Sequence, residues 1–302
     1  MGRLLLVEGD DFGLVPRVEW TKIEDDHSED CIGYSFLHDH RNQWVAAGDG
    51  WVLKQIFRSE ERQAEWVSDH HEAIPYRTTA VRQYGAAVDM FREGMLTIMH
   101  MLGGMPARSW ELLEIRHSNT ANGGVRNIII DRGMVCFVTL YHKNYRSSEQ
   151  VKIIHRYLPR EAGELLVWYL WLVLPFWQQV QGIVKGADDA SGFLWADEIV
   201  QQAGRGGEVE SPDDEGEGRG RGERNGGDKE VDWIHEHKWT ADRMRRIMHG
   251  HSGRFLGVRI GISPWRHIAI GRMKTRGMTM PRMLMTFSFG VVDVMFGRSW
   301  SW

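Results

Sequence analysis

The chain has 302 residues, of which 42% are hydrophobic and 11% aromatic, enough apolar side chain to fill a substantial core. Its formal charge of -4 and pI near 6.4 exclude a uniformly basic protein, so any nucleic-acid surface must come from local clustering of cations. Two cysteines, Cys31 and Cys136, are too few for a disulfide scaffold or a multi-thiolate zinc site and fit a reducing, intracellular compartment.

Residues 1–33 carry Glu8, Asp10, Asp11, Glu24, Asp25, Asp26, Glu29 and Asp30 and read as an acidic, flexible N-terminus. Its apolar run, Leu4-Leu5-Leu6-Val7, is too short for the core of a signal peptide. Residues 34–104 read as a helical lead-in subdomain. An amphipathic pattern covers 52–67, and a stronger helix starts near Thr78 or Thr79. Val81, Tyr84, Val88, Phe91, Met95, Met99 and Leu102 line one face of it before Gly103-Gly104 and Pro106 end it.

Residues 105–202 open with a short helix over 109–116 and a loop through Asn122-Gly123-Gly124. Extended runs at 127–130 and 134–141 follow, joined by the hairpin signal Asp131-Arg132-Gly133, and a third lies at 152–158. Pro159 leads into an apolar helix over 162–174. The apolar run 165–177 contains Pro175 and falls short of the roughly 20 residues that span a bilayer, so it reads as a buried helix. Trp168, Tyr169, Trp171 and Trp177 then belong to the core rather than to a base-stacking platform. The expected fold class is mainly α with a small antiparallel β-sheet (α+β).

Residues 203–230 collapse to Gly, Arg, Glu and Asp and read as a disordered insert. Residues 231–271 resume the core and bring the one basic stretch. From 241 to 282, Arg243, Arg245, Arg246, Arg254, Arg259, Arg266, Arg272, Lys274, Arg276 and Arg282 face only Asp242. Such clustering suits phosphate contact, and a solvated helix face is the competing reading. Residues 272–302 form an atypical Met-rich tail.

Three His-x-His pairs (His38/His40, His235/His237, His249/His251) lack the accompanying Cys or Asp ligands of a metal site, so no metal is expected. Gly250-His251-Ser252-Gly253 lacks the final Gly of a hydrolase elbow. There is no Gly-x-x-x-x-Gly-Lys-Ser/Thr loop and hence no ATP site, and no motif implies a cofactor.

The string Pro106-Ala107-Arg108-Ser109-Trp110-Glu111-Leu112-Leu113-Glu114-Ile115-Arg116, followed by a hairpin that runs into His142-Lys143-Asn144, resembles the catalytic domain of tyrosine recombinases. Ile262-Ser263-Pro264-Trp265-Arg266-His267 resembles that family's second box, with Ser263 where the family usually has His. The resemblance implies catalytic positions at Arg108, Lys143, Arg266 and His267. In it Arg108 and Arg266 clamp the phosphate, Lys143 is the general acid and Glu111 anchors the local structure. Arg116, Arg243, Arg245, Arg246, Arg254 and Arg259 are expected to contact DNA.

The family's third box, a Gly-His pair followed by the nucleophilic Tyr, has no counterpart, and no tyrosine follows Tyr169. Tyr141, Tyr145 and Tyr157 read as structural residues. Further strings are similar to the recombinase-like region of fungal Crypton-type mobile elements and of telomere-linked RecQ-type helicases. These are Trp44-Val45-Ala46-Ala47-Gly48, Phe57-Arg58-Ser59-Glu60-Glu61-Arg62, Ile115-Arg116-His117-Ser118-Asn119-Thr120 and Arg156-Tyr157-Leu158-Pro159-Arg160-Glu161. The similarity stops after Ile270, which suggests a change of reading frame. It implies a nuclear protein that binds double-stranded DNA, in company with other copies of itself, away from any membrane, and that does not cleave. The alternatives are a fragment of an active recombinase or transposase, a fragment of the N-terminal region of such a helicase, and a non-functional gene product.

Overall fold

A computed structural model describes residues 1–68, 75–141, 152–185, 191–196 and 239–276. The expected insert at 203–230, Lys143, Tyr145 and most of the Met-rich tail lie outside the described residues.

The N-terminus departs from the expectation of a solvated lead-in. Helix α1 (Gly2–Leu5) and the 3-10 segment Gly9–Leu14 lie against the core, burying Leu4, Leu5, Val7, Val15, Val18 and Trp20. Three distant side chains hold their backbone. Tyr84 Oη donates to Leu4 O at 2.8 Å, Trp51 Nε1 to Leu5 O at 3.1 Å and Trp168 Nε1 to Pro16 O at 3.0 Å. Among the acids, Asp25 has a buried side chain that takes two bonds from the Arg126 guanidinium, at 2.6 and 3.2 Å, and one from the Ile130 N–H at 2.8 Å. Counting acids missed that a single buried cation, Arg126, demands one of them.

The expected helix over 52–67 is two helices, α2 (Trp51–Ile56) and α3 (Glu60–Trp66). Ser59 divides them, its Oγ accepting from the Arg62 N–H, so an N-cap overrides the apolar period. The long helix α4 (Thr78–Leu102) matches the sequence reading except that Arg77 is the N-cap, and the backbone N–H of Gly103 closes the last turn on Met99 O. Gly103 is required there, because a Cβ would lie 2.6 Å from the Phe137 ring. Helix α5 (Ser109–Leu113) is shorter than expected.

Strands β1 (Ile128–Asp131), β2 (Met134–Tyr141) and β3 (Lys152–Tyr157) form one antiparallel sheet in the order β1-β2-β3. Asp131 pairs with Met134, leaving a two-residue turn in which Arg132 and Gly133 both have positive φ, the geometry that matches strand twist. Strand alternation puts Val135, Phe137 and Thr139 on the core face, with Arg156 of β3 in register beside Phe137.

The apolar helix is longer than expected. It runs from α6 (Arg160–Trp168) through a π-helical turn (Tyr169–Val173) into α7 (Leu174–Lys185), past Pro175. Pro175 has no N–H and its ring crowds the carbonyl of residue 171, and the wider π turn absorbs both. Trp168, Tyr169, Trp171 and Trp177 are buried, as expected. Among the described residues no helix is long and apolar enough to cross a membrane.

Helices α8 (Ala241–Leu256) and α9 (Ile262–Arg276) complete the described elements, α8 packing on α4 and α5. The buried apolar residues form one continuous cluster from Met1 to Trp265, so residues 34–104 share a core with the rest rather than forming a subdomain of their own. The protein is therefore mainly helical with a small antiparallel sheet.

Candidate anion cleft

The ends of three helices meet at an open cleft of about 480 Å³, lined by Arg108, Ser109 and Trp110 of α5 and its N-cap, Ala241, Arg245 and His249 of α8, and Gly261 to Pro264 with Arg266 at the start of α9. The two arginines nominated as catalytic, Arg108 and Arg266, thus come together from distant parts of the chain.

Arg108 is placed by Glu111. The buried Glu111 carboxylate accepts from the Arg108 backbone N–H at 3.1 Å and stands 4.0 Å from its Nε, fixing the turn that opens α5. Beneath it the same carboxylate lies 3.6 Å from Nη2 of Arg156, which is itself buried. Arg156 Nε donates to Met105 O at 2.8 Å and its Nη1 to Thr139 Oγ1. Burial lowers the Arg156 pKa, Glu111 opposes this and the nearby Arg266 cation adds to it. A guanidinium stays charged through such a shift, so Arg108 and Arg156 share the Glu111 carboxylate while Arg266 stands near Arg156 without one, which leaves net positive charge under the cleft floor.

Arg266 is half-buried and has no hydrogen bond or ion pair among the described residues, its Nε being shut away from solvent without a partner. Below it sits His100, 1% exposed, with neither ring nitrogen in a well-formed hydrogen bond. Burial first, then Arg266 and Arg156, bring the His100 pKa down to about 4, against an opposing contribution from the Ile262 backbone. It is neutral at pH 7 and adds no charge to that of the arginines. The N-terminal backbone of α9, at Ile262 and Ser263, also faces the cleft and brings the positive end of that helix to the same space.

Other nominated residues are elsewhere. Lys143 lies outside the described residues. His267 is exposed and off the cleft wall, because the residue after Arg266 is turned about 100° round α9. Arg116 is a packing residue: its guanidinium stacks 4.6 Å from the Phe193 ring centroid, against Gly124, and burial lowers its pKa. Arg243 is likewise engaged, 3.9 Å over Trp239 and 3.5 Å from both Asp89 and Glu93. Arg245 lines the cleft but pairs with Asp242 at 2.9 Å. Arg246, Arg254 and Arg259 are exposed on α8 and the turn after it.

The three His-x-His pairs stand differently. His38 Nδ1 bonds within its own turn, and His251 Nδ1 meets Thr97 Oγ1 at 3.1 Å while His249 faces the cleft. His235 and His237 lie outside the described residues. Three residues in or beneath the cleft escaped the sequence reading. Arg156 had a signal, a charged residue in the inward phase of β3, whereas His249 and Trp110 depend on helix packing that no local pattern encodes. Comparison with protein families, curated proteins and solved structures returns no match.

Proposed function

We propose that the chain is a tyrosine-recombinase-like DNA-binding domain that holds the DNA backbone without cutting it. The observation that carries this reading is the uncompensated Arg266 facing the same cleft as Arg108, over a floor where Arg108 and Arg156 already share the one carboxylate, Glu111. A phosphodiester supplies the missing counter-charge, and two guanidiniums suit its two non-bridging oxygens. The exposed Arg246, Arg254 and Arg259 extend the contact along the backbone, and a nuclear location accords with that partner. No tyrosine follows Tyr169, so the nucleophile of a recombinase is missing from the sequence.

Duplex binding measured by anisotropy across a salt series tests the reading. Arg108→Ala and Arg266→Ala should each weaken binding and lower the log–log salt slope by about one. Unchanged affinity in both variants would sink it. The missing tyrosine also favours a second reading, in which another polypeptide supplies it. A covalent adduct on a nicked suicide substrate, formed only in that partner's presence, would establish cleavage in trans.

A further inference from the structure

The cleft has one wall that phosphate binding does not use. Trp110 lines it and is 42% exposed. Among the described tryptophans it alone is exposed: Trp44 is half-buried, and Trp20, Trp51, Trp66, Trp168, Trp171, Trp177, Trp195, Trp239 and Trp265 are buried. Its position follows from the short helix that carries it. Glu111, Leu112 and Leu113 turn inward, the first to Arg156 and the others to the core, and Trp110 takes the remaining face. A large apolar ring is thereby kept in water between Arg108 and the α8 and α9 ends, where stability alone gains nothing from it.

We infer that the cleft is a site for an unpaired nucleotide of a DNA strand, with the phosphate held at Arg108 and Arg266 and the base stacked on the Trp110 indole. The inference rests on the phosphate reading above and adds a base to it. The chemistry is complementary: every nucleobase offers a flat π face whatever its sequence, and a guanidinium pair next to an aromatic surface matches a phosphate linked to a base. Duplex DNA keeps its bases stacked inside, so the ligand that uses both walls is a single strand, an overhang or a frayed end.

The test uses the full chain and two single-stranded probes of equal length and charge, an oligothymidine and an abasic oligomer with the same sugar–phosphate backbone. The wild type should bind the oligothymidine roughly tenfold more tightly than the abasic strand. Trp110→Ala should remove that preference without changing affinity for the abasic strand, and Trp110→Phe should keep most of it. Equal binding of both probes by the wild type, or an equal loss for both in Trp110→Ala, would overturn the inference while leaving the phosphate reading standing. Abasic binding unaffected by both Arg108→Ala and Arg266→Ala would instead overturn the phosphate reading, and the inference with it. A near-native circular dichroism spectrum for Trp110→Ala separates a lost stack from a lost fold.

Discussion

Two buried charge pairs hold the residues around the cleft and the N-terminal segment, and they make the sharpest predictions. Arg126 and Asp25, each side chain 2% exposed, are joined by two hydrogen bonds. Asp25→Ala leaves the guanidinium buried without a carboxylate and should cost about 3–5 kcal/mol in urea unfolding. A loss within experimental error would mean that water reaches Arg126 in solution. Glu111→Gln removes the carboxylate between Arg108 and Arg156 and should destabilise by a similar amount. It should also weaken duplex binding, because the backbone turn that presents Arg108 depends on that side chain. Two histidines, the buried His100 and the half-buried His117, tie stability to pH. Burial is the main cause that brings both His100 and His117 down to about 4. The unfolded chain therefore binds more protons than the folded one between roughly pH 6.5 and 4. Stability is full above pH 6.5 and falls as the pH drops through that window, on the order of 3 kcal/mol for each ring. Urea midpoints measured from pH 7 to pH 4 should decline less steeply in His100→Asn than in the wild type, and parallel curves would show that His100 does not carry this share.

Elements with a strong period of their own are legible in the amino-acid sequence. Helix α4 shows its buried face every three or four residues, and the β1–β2 hairpin is announced by Asp131-Arg132-Gly133. Their boundaries are less so, for physical reasons that differ from case to case. At Ser59 a hydroxyl captured by the Arg62 N–H stops a helix whose apolar pattern continues, whereas at Pro175 a π turn carries a helix past a residue that ordinarily ends one. That π turn also makes a close approach. The Trp171 and Leu172 side chains come so near Gly48 that an added Cβ would lie 2.5 and 2.4 Å from them, and Trp171 Nε1 donates to Val45 O at 2.8 Å. Gly48→Ala should therefore force the 3-10 segment Gln43–Gly48 (which carries Trp44) away from the π turn, costing about 1–3 kcal/mol. Thermal unfolding measures this directly. An unchanged midpoint would show that the two elements separate more easily than their packing implies.

For the molecule as a whole, composition misleads most where it is averaged over a segment. Residues 1–33 look solvated because acids are counted together, yet the segment alternates between exposed acids and buried anchors, and the anchors decide where it goes. Leu4, Leu5, Val7, Val15, Val18 and Trp20 belong to the same apolar cluster as α4 and α6. The same averaging gives the basic stretch too much credit. Arg243 is engaged by Trp239, Asp89 and Glu93 and Arg245 by Asp242, and the charge that matters at the cleft is the smaller set around Arg266. The site is half legible for a related reason: Arg108 and Arg266 sit in recognisable strings, but Arg156 comes to lie beneath the cleft, and His249 and Trp110 come to line it, only through the packing of β3, α8 and α5. Deleting residues 1–20 tests how far this single core extends. Removal strips the apolar cover from Tyr84, Trp51 and Trp168, whose polar atoms then lose Leu4, Leu5 and Pro16 as acceptors. The shortened chain should bind 8-anilinonaphthalene sulfonate and unfold over a broader urea range, because exposed aromatic surface and unpaired donors both loosen the packing beneath. The cleft lies on α5, α8 and α9 rather than on the deleted segment, so DNA affinity should fall only as far as the folded fraction falls. A truncated chain that keeps the wild-type midpoint and slope would show that the segment rests on the core without contributing to it.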